Sequence, residues 1–196
     1  AEAAAAAPAL DDVPSAGALS EGLSAFERED YGAAALRFWE ALRQYGPGDA
    51  EYSRAQYELA RSLVRLELYQ SSVIFFDEIL LEGEAHPYFE QTIPWLVTIA
   101  RAIPGDTAML QRLSAFASVF PAGVEDKYQH ELAYLIARHF YEVAELGQAQ
   151  EFLAAVGSDS EFYDESLFLS AITHVRDYDA RAASEKLIEL RRVLED

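Results

Sequence analysis

The sequence predicts an all-α fold made of about five antiparallel helical hairpins stacked in chain order, and three observations predict it. The 196 residues are rich in Ala, Leu, Glu and Arg and poor in long β-branched runs, a composition that favours helix on propensity alone. Gly and Pro are few and fall between segments, as in Gly46-Pro47-Gly48, Gly83 with His86-Pro87, and Pro104-Gly105. A pattern of small and large apolar residues also returns at nearly constant intervals, beginning with Tyr31 and Tyr69, 38 positions apart.

The clearest copy is 54–80, RAQYELARSLVRLELYQSSVIFFDEIL in outline. Leu59, Ala60, Leu63, Tyr69, Ser72, Phe76, Ile79 and Leu80 supply large groups for a hairpin core and small ones where two backbones come close. In 18–42 the positions of Gly22, Tyr31, Ala34, Phe38, Ala41 and Leu42 repeat it. Residues 1–16 combine an Ala run with Pro8, Pro14 and Asp11-Asp12, have no apolar stripe, and are expected to form a flexible leader. Hairpins are expected at about 17–45, 50–82, 87–120, 125–156 and 160–196.

The third hairpin departs most from the pattern. Pro94 falls inside its first helix and predicts a kink or a restarted helix there. Its turn is assigned to Pro104-Gly105-Asp106, with Asp106 or Thr107 capping the next helix and Trp95, Phe116 and Phe120 supplying bulk. The fourth restores the pattern with Ala133, Ile136, Ala137, Phe140, Leu146, Ala149, Leu153 and Val156. The fifth places Asp177-Tyr178 at its turn, offset by one residue from the earlier spacing, and its last helix carries Leu187, Ile188, Leu190, Val193 and Leu194 as an apolar stripe. That stripe implies continuation of the native protein, a partner or a second copy on this face, or an ordinary last helix packed on its predecessor.

The small residue in the first helix, the aromatic at the turn, the small residue opening the second helix and the later aromatic resemble a tetratricopeptide repeat. The resemblance covers nearly all of 17–194 and implies a right-handed superhelix that binds a protein or peptide partner along the concave groove of its first helices. Leu59-Ala60-Arg61, Ile99-Ala100-Arg101 and Ile136-Ala137-Arg138 share one phrase, spaced 40 and 37 residues apart. The resemblance then implies that Arg61, Arg101 and Arg138 stand in a row along the inner surface, with Arg54, Tyr57 and Arg65 around Arg61 and Tyr134 and Tyr141 around Arg138 at helical spacing. These eight residues are the candidate partner-binding set. Two readings of the row stand: a groove for an acidic or extended peptide, or internal pairing, with Arg65 held by Glu58 or Glu67 and Arg138 by Glu142. A subgroup of such repeats grips C-terminal carboxylates through Lys and Asn. The matching positions here hold Leu19 and Leu23 and the chain has no Asn, so that activity is not expected.

The formal net charge of −19 argues against nucleic acid and anionic membrane as partners. Thirteen of the fifteen basic residues are Arg, which binds carboxylates bidentately, although genomic base composition yields the same bias. With no cysteine there are no disulfides or thiolate sites. His130 and His139 lie half a helical turn out of phase, His139 with Glu142 is a lone pair, and no metal or cofactor is expected. No phosphate loop, nucleophile elbow or zinc helix motif nominates an enzyme. No apolar run approaches the roughly 20 residues of a membrane span. The opening AEAAAAAPALDDVPSAGA resembles what remains beyond a removed signal peptide and equally a trimmed N-terminus; the expectation is an exported, periplasmic protein, with the cytoplasm as the alternative. The functional expectation is a non-catalytic interaction scaffold. Its rivals are a self-associating subunit of an envelope assembly, joined through the C-terminal helix, and an accessory domain of a larger enzyme.

Overall fold

A computed structural model describes residues 17–103 and 105–195. The predicted leader at 1–16, and Pro104 of the third turn, lie outside the described residues. Those residues form ten α-helices with three short 3-10 turns and no strand, so the protein is all-α. In order, the helices are α1 (Ala18–Glu27), α2 (Tyr31–Gln44), α3 (Ala50–Arg65), α4 (Tyr69–Glu82), α5 (Ile93–Ala102), α6 (Thr107–Ser114), α7 (Asp126–Glu142), α8 (Leu146–Ala154), α9 (Tyr163–Arg176) and α10 (Ala180–Glu195).

Two compact units divide the chain within α4, the first through Ser72 and the second from Val73. In the first, α1 packs on α2 and α2 on α3, with α1 also touching α3. In the second, consecutive helices from α5 to α10 pack pairwise, and the first helices of successive hairpins also meet, α5 with α7 and α7 with α9. The hairpin is therefore the building block, because each amphipathic helix buries its stripe against its neighbours in sequence.

Four hairpins turn in the same way. Glu29, Glu67, Ala144 and Tyr178 adopt left-handed backbone at φ 61°, 59°, 66° and 62°, each two residues before its second helix begins. The following N–H then reaches back to close the first helix: Asp30 to the Ala25 carbonyl at 3.0 Å, Leu68 to Leu63, Glu145 to Phe140 and Asp179 to His174, each at 2.9 Å. This is the Schellman closure, adopted here without glycine. Tyr178 occupies this left-handed position and is 96% exposed. It does not stand in for Tyr31 and Tyr69, which open α2 and α4; Ala180 does that.

Aligned on these turns, Gly22, Ala60, Ala137 and Ala171 fall at one place in the first helices, and Ala34, Ser72, Ala149 and Ala183 at one place in the second; all are buried. The reason is contact distance. A Cβ on Gly22 would lie 2.6 Å from Cε1 of Phe38, so only glycine lets that ring seat against α1.

The third hairpin breaks step as Pro94 predicts. A 3-10 turn over Glu90–Thr92 precedes α5, which restarts at Ile93 with Pro94 as its second residue, where a missing N–H costs no helical bond. Asp106 caps α6 by accepting from Ala108 N at 2.9 Å, and Gly105 takes φ 91°. Phe116 is fully buried against Phe89, with ring centroids 4.9 Å apart. His86, read as a loop residue, is in a connecting segment yet buried, its Nδ1 accepting from Tyr88 N at 3.1 Å.

Candidate functional site

The shared Leu/Ile-Ala-Arg phrase does not occupy equivalent places. Arg61 and Arg138 each lie eight residues before their second helix, whereas Arg101 lies six before α6, next to the end of α5. The expected common register thus fails for the third hairpin, because restarting the helix at Ile93 sets its phase from Pro94 and not from its neighbours. Arg61 also belongs to the first unit, while Arg101 and Arg138 belong to the second.

In the first unit, Arg54 is exposed on α3 and Tyr57 is buried on the same helix. Arg61 donates from one terminal nitrogen to Glu58 Oε2 at 2.7 Å. Its guanidinium lies 4.6 Å from the centroid of Phe26 on α1 and 5.3 Å from that of Tyr57, so it packs as a flat cation between two rings. Glu58 is nearly buried, and desolvation pushes its carboxyl above the usual range against the opposing pull of Arg61 and Arg54. Glu58, one of the two acids expected for Arg65 alongside Glu67, is hydrogen-bonded to Arg61. Arg65 lies over Tyr31, 5.9 Å from its centroid.

In the second unit, Arg101 and Glu131 form a bidentate pair across α5 and α7. Nε donates to one carboxylate oxygen at 2.7 Å and a terminal nitrogen to the other. The side chain of Arg101 is 58% exposed and that of Glu131 only 4%, so the guanidinium caps a buried carboxylate. This hydrogen bond holds the guanidinium above its ordinary pKa against the cost of burial. Tyr134 stacks on Phe162, with centroids 5.7 Å apart and planes at 26°, and the Arg138 guanidinium lies 5.9 Å from the Tyr134 ring centroid. Burial raises the Tyr134 hydroxyl above its ordinary pKa, with Arg138 pulling the other way. The expected Arg138–Glu142 pair does not form among the described residues. Tyr141 is held from α9: Arg176 donates to its carbonyl at 2.6 Å and lies over its ring at 5.0 Å.

Arg101, Tyr134 and Arg138 line one cleft of about 160 Å³ together with the α5–α6 turn, α6 and Phe162. A second, more open and more polar depression of about 470 Å³ adjoins it, sharing Arg101, Glu131 and Phe162 and adding Asp126, His130 and Asp159. Sequence reasoning missed Glu131, Phe162, Phe26 and Arg176. The spacing of Glu58 from Arg61 is a legible helical signal, but Glu131 lies 30 residues from Arg101 and nothing local joins them.

No helix among the described residues is long and apolar enough to cross a membrane. No protein-family model and no curated protein matches the chain. Solved structures do match, and two of them cover 93% of it. One, "MamA 41-end from Desulfovibrio magneticus RS-1", has a TM-score of 0.55 at 17% identity with 98% of that chain covered. The other, a double mutant of MamA from RS-1, has a TM-score of 0.57 at 16% identity with 97% covered. At such identity the likeness is one of fold: this chain is similar in architecture to MamA, a tetratricopeptide-repeat protein.

Proposed function

We propose that the chain is a non-catalytic scaffold that binds a protein or peptide through the first helices of its hairpins, each unit presenting its own. The gathering of Arg101, Tyr134 and Arg138 around one cleft carries this reading. Guanidinium and phenol groups held by stacking and ion pairing lose little freedom on binding, and Tyr and Arg dominate the energetics of interfaces. Arg54, Arg61 and Arg65, with Tyr57 buried beneath them, form the corresponding surface of the first unit, and Tyr141 extends that of the second. The likeness of the fold to a repeat scaffold agrees with this role and supplies no partner.

Photo-crosslinking tests it. A benzophenone amino acid at position 134 should capture one defined protein from cells of the source organism, while the same group at position 178, which is more exposed but remote in sequence from the cleft residues, should not. Equal labelling from both positions would remove the reading.

A second reading has its own observation. Leu187 occupies the place held by Phe38, Phe76 and Leu153, all buried, yet it is 46% exposed, and Ile188 and Leu194 beside it on α10 are exposed too. Self-association through α10 would cover them. Light-scattering mass should then rise with concentration, and Leu187→Lys should abolish the rise; a constant mass rejects it.

A further inference from the structure

The two arginines of the second-unit cleft differ in what they have left to bind. Arg101 spends its fork on Glu131. No ion pair with a carboxylate joins Arg138 among the described residues; its guanidinium meets only the ring of Tyr134. Arg37, Arg61, Arg112, Arg181 and Arg191 each hold a carboxylate, so in a chain of net charge −19 a half-buried arginine left to an aromatic face is the exception. The cleft beside it is floored by Ala100, Ile103, Met109, Leu110 and Leu135, of which the last three are buried. Its volume of about 160 Å³ is well below the roughly 300 Å³ at which small-molecule sites begin. One large side chain fits, and a cofactor does not.

We infer that this cleft takes one bulky apolar side chain with a carboxylate next to it in the same ligand, Arg138 gripping the carboxylate while the Arg101–Glu131 pair serves as a neutral wall. The inference rests on the scaffold reading above and names its ligand chemistry. Arg138 selects the acid: of the two carboxylates that also line the cleft, Glu131 is taken by Arg101 and Asp106 accepts from Ala108 N as the cap of α6. A guanidinium already desolvated on one face by Tyr134 loses less water on meeting a carboxylate than an exposed one would. The apolar floor selects the neighbouring group, since it rewards only a side chain that leaves no polar atom buried there. The acid can come from a chain terminus or from an Asp or Glu side chain, which present the same two oxygens.

The test is a titration of the ¹⁵N-labelled full chain, followed by NMR, with three probes: N-acetylphenylalanine, its carboxamide, and N-acetylaspartylphenylalaninamide. The free acid should shift Arg138 Nε–H and the Ile103 and Leu135 amides, binding at least about tenfold more tightly than the carboxamide, as a charge-assisted bond implies. If the aspartyl probe matches the free acid, the source is an internal acidic and apolar pair; if it matches the carboxamide, the source is a chain terminus. Arg138→Gln, with helicity retained, should lower binding of the acid to the carboxamide's level, and Arg138→Lys should recover part of it. Equal binding of acid and carboxamide to the parent chain, which needs no variant, overturns the proposal, and so does unchanged acid binding in Arg138→Gln. Specific crosslinking at position 134 without a preference for acid removes this ligand chemistry alone; loss of both removes the scaffold reading too.

Discussion

Removing Arg101 tests whether the second unit depends on a guanidinium to keep a buried carboxylate satisfied. In Arg101→Ala, Glu131 at 4% exposure loses both N–H donors that the guanidinium supplied. Stranding one partner of a fully buried pair costs about 3–5 kcal/mol. Arg101 is itself 58% exposed, so its loss opens a path for water to Glu131 and solvent screening weakens the pair from the start, which lowers the expected cost to about 2 kcal/mol. Urea unfolding followed by far-UV circular dichroism should show that decrease. The double replacement Arg101→Ala with Glu131→Leu should return to within about 1 kcal/mol of the parent, because no charge then remains to be desolvated. A single variant within about 0.5 kcal/mol of the parent, or a double variant no better than the single, refutes the reasoning.

Three further outcomes follow from the fold. Gly22→Ala drives a methyl to 2.6 Å from the Phe38 ring and should cost about 1–3 kcal/mol in thermal unfolding of the first unit. Ala144→Gly relieves a left-handed residue at φ 66° and should stabilise the chain by about 0.5–1 kcal/mol in urea titration. His86 is buried, and burial lowers its pKa from the ordinary 6.5, with Glu82 opposing. Its neutral form is therefore the folded one. The stability it confers is complete above 6.5 and is lost as pH falls from there through the lowered folded value, so the parent should lose stability on acidification across that window and His86→Leu should lose less.

Much of the architecture is legible in the sequence. Gly22, Ala60 and Ala137 announce the crossing points because two backbones approach there and nothing larger fits. Pro94 announces the restart of α5 because it has no N–H to give. The failures are equally physical. The phrase shared by Arg61, Arg101 and Arg138 looks periodic, but a proline upstream reset the phase of one copy, and matching letters could not report it. Glu58 is held by Arg61, three residues on, whose guanidinium also meets the ring of Phe26 on another helix, a contact that spacing along α3 could not report. Tyr178 carries the right letter at the wrong place: the helix before it closes two residues ahead of α10, and the chain must turn left-handed there whatever the side chain.

By itself the sequence determined that the chain is helical, where its helices stop, and which small residues let them touch, since those properties follow from local backbone preference and the spacing of groups along one helix. Tertiary structure alone decided which arginines were already satisfied. Glu131 reaches Arg101 from another hairpin, Phe162 reaches Tyr134 from a loop 28 residues on, and Arg138 meets the ring of Tyr134 but pairs with no carboxylate among the described residues. Such partners are chosen by distance in space, which the order of residues along the chain does not encode pair by pair.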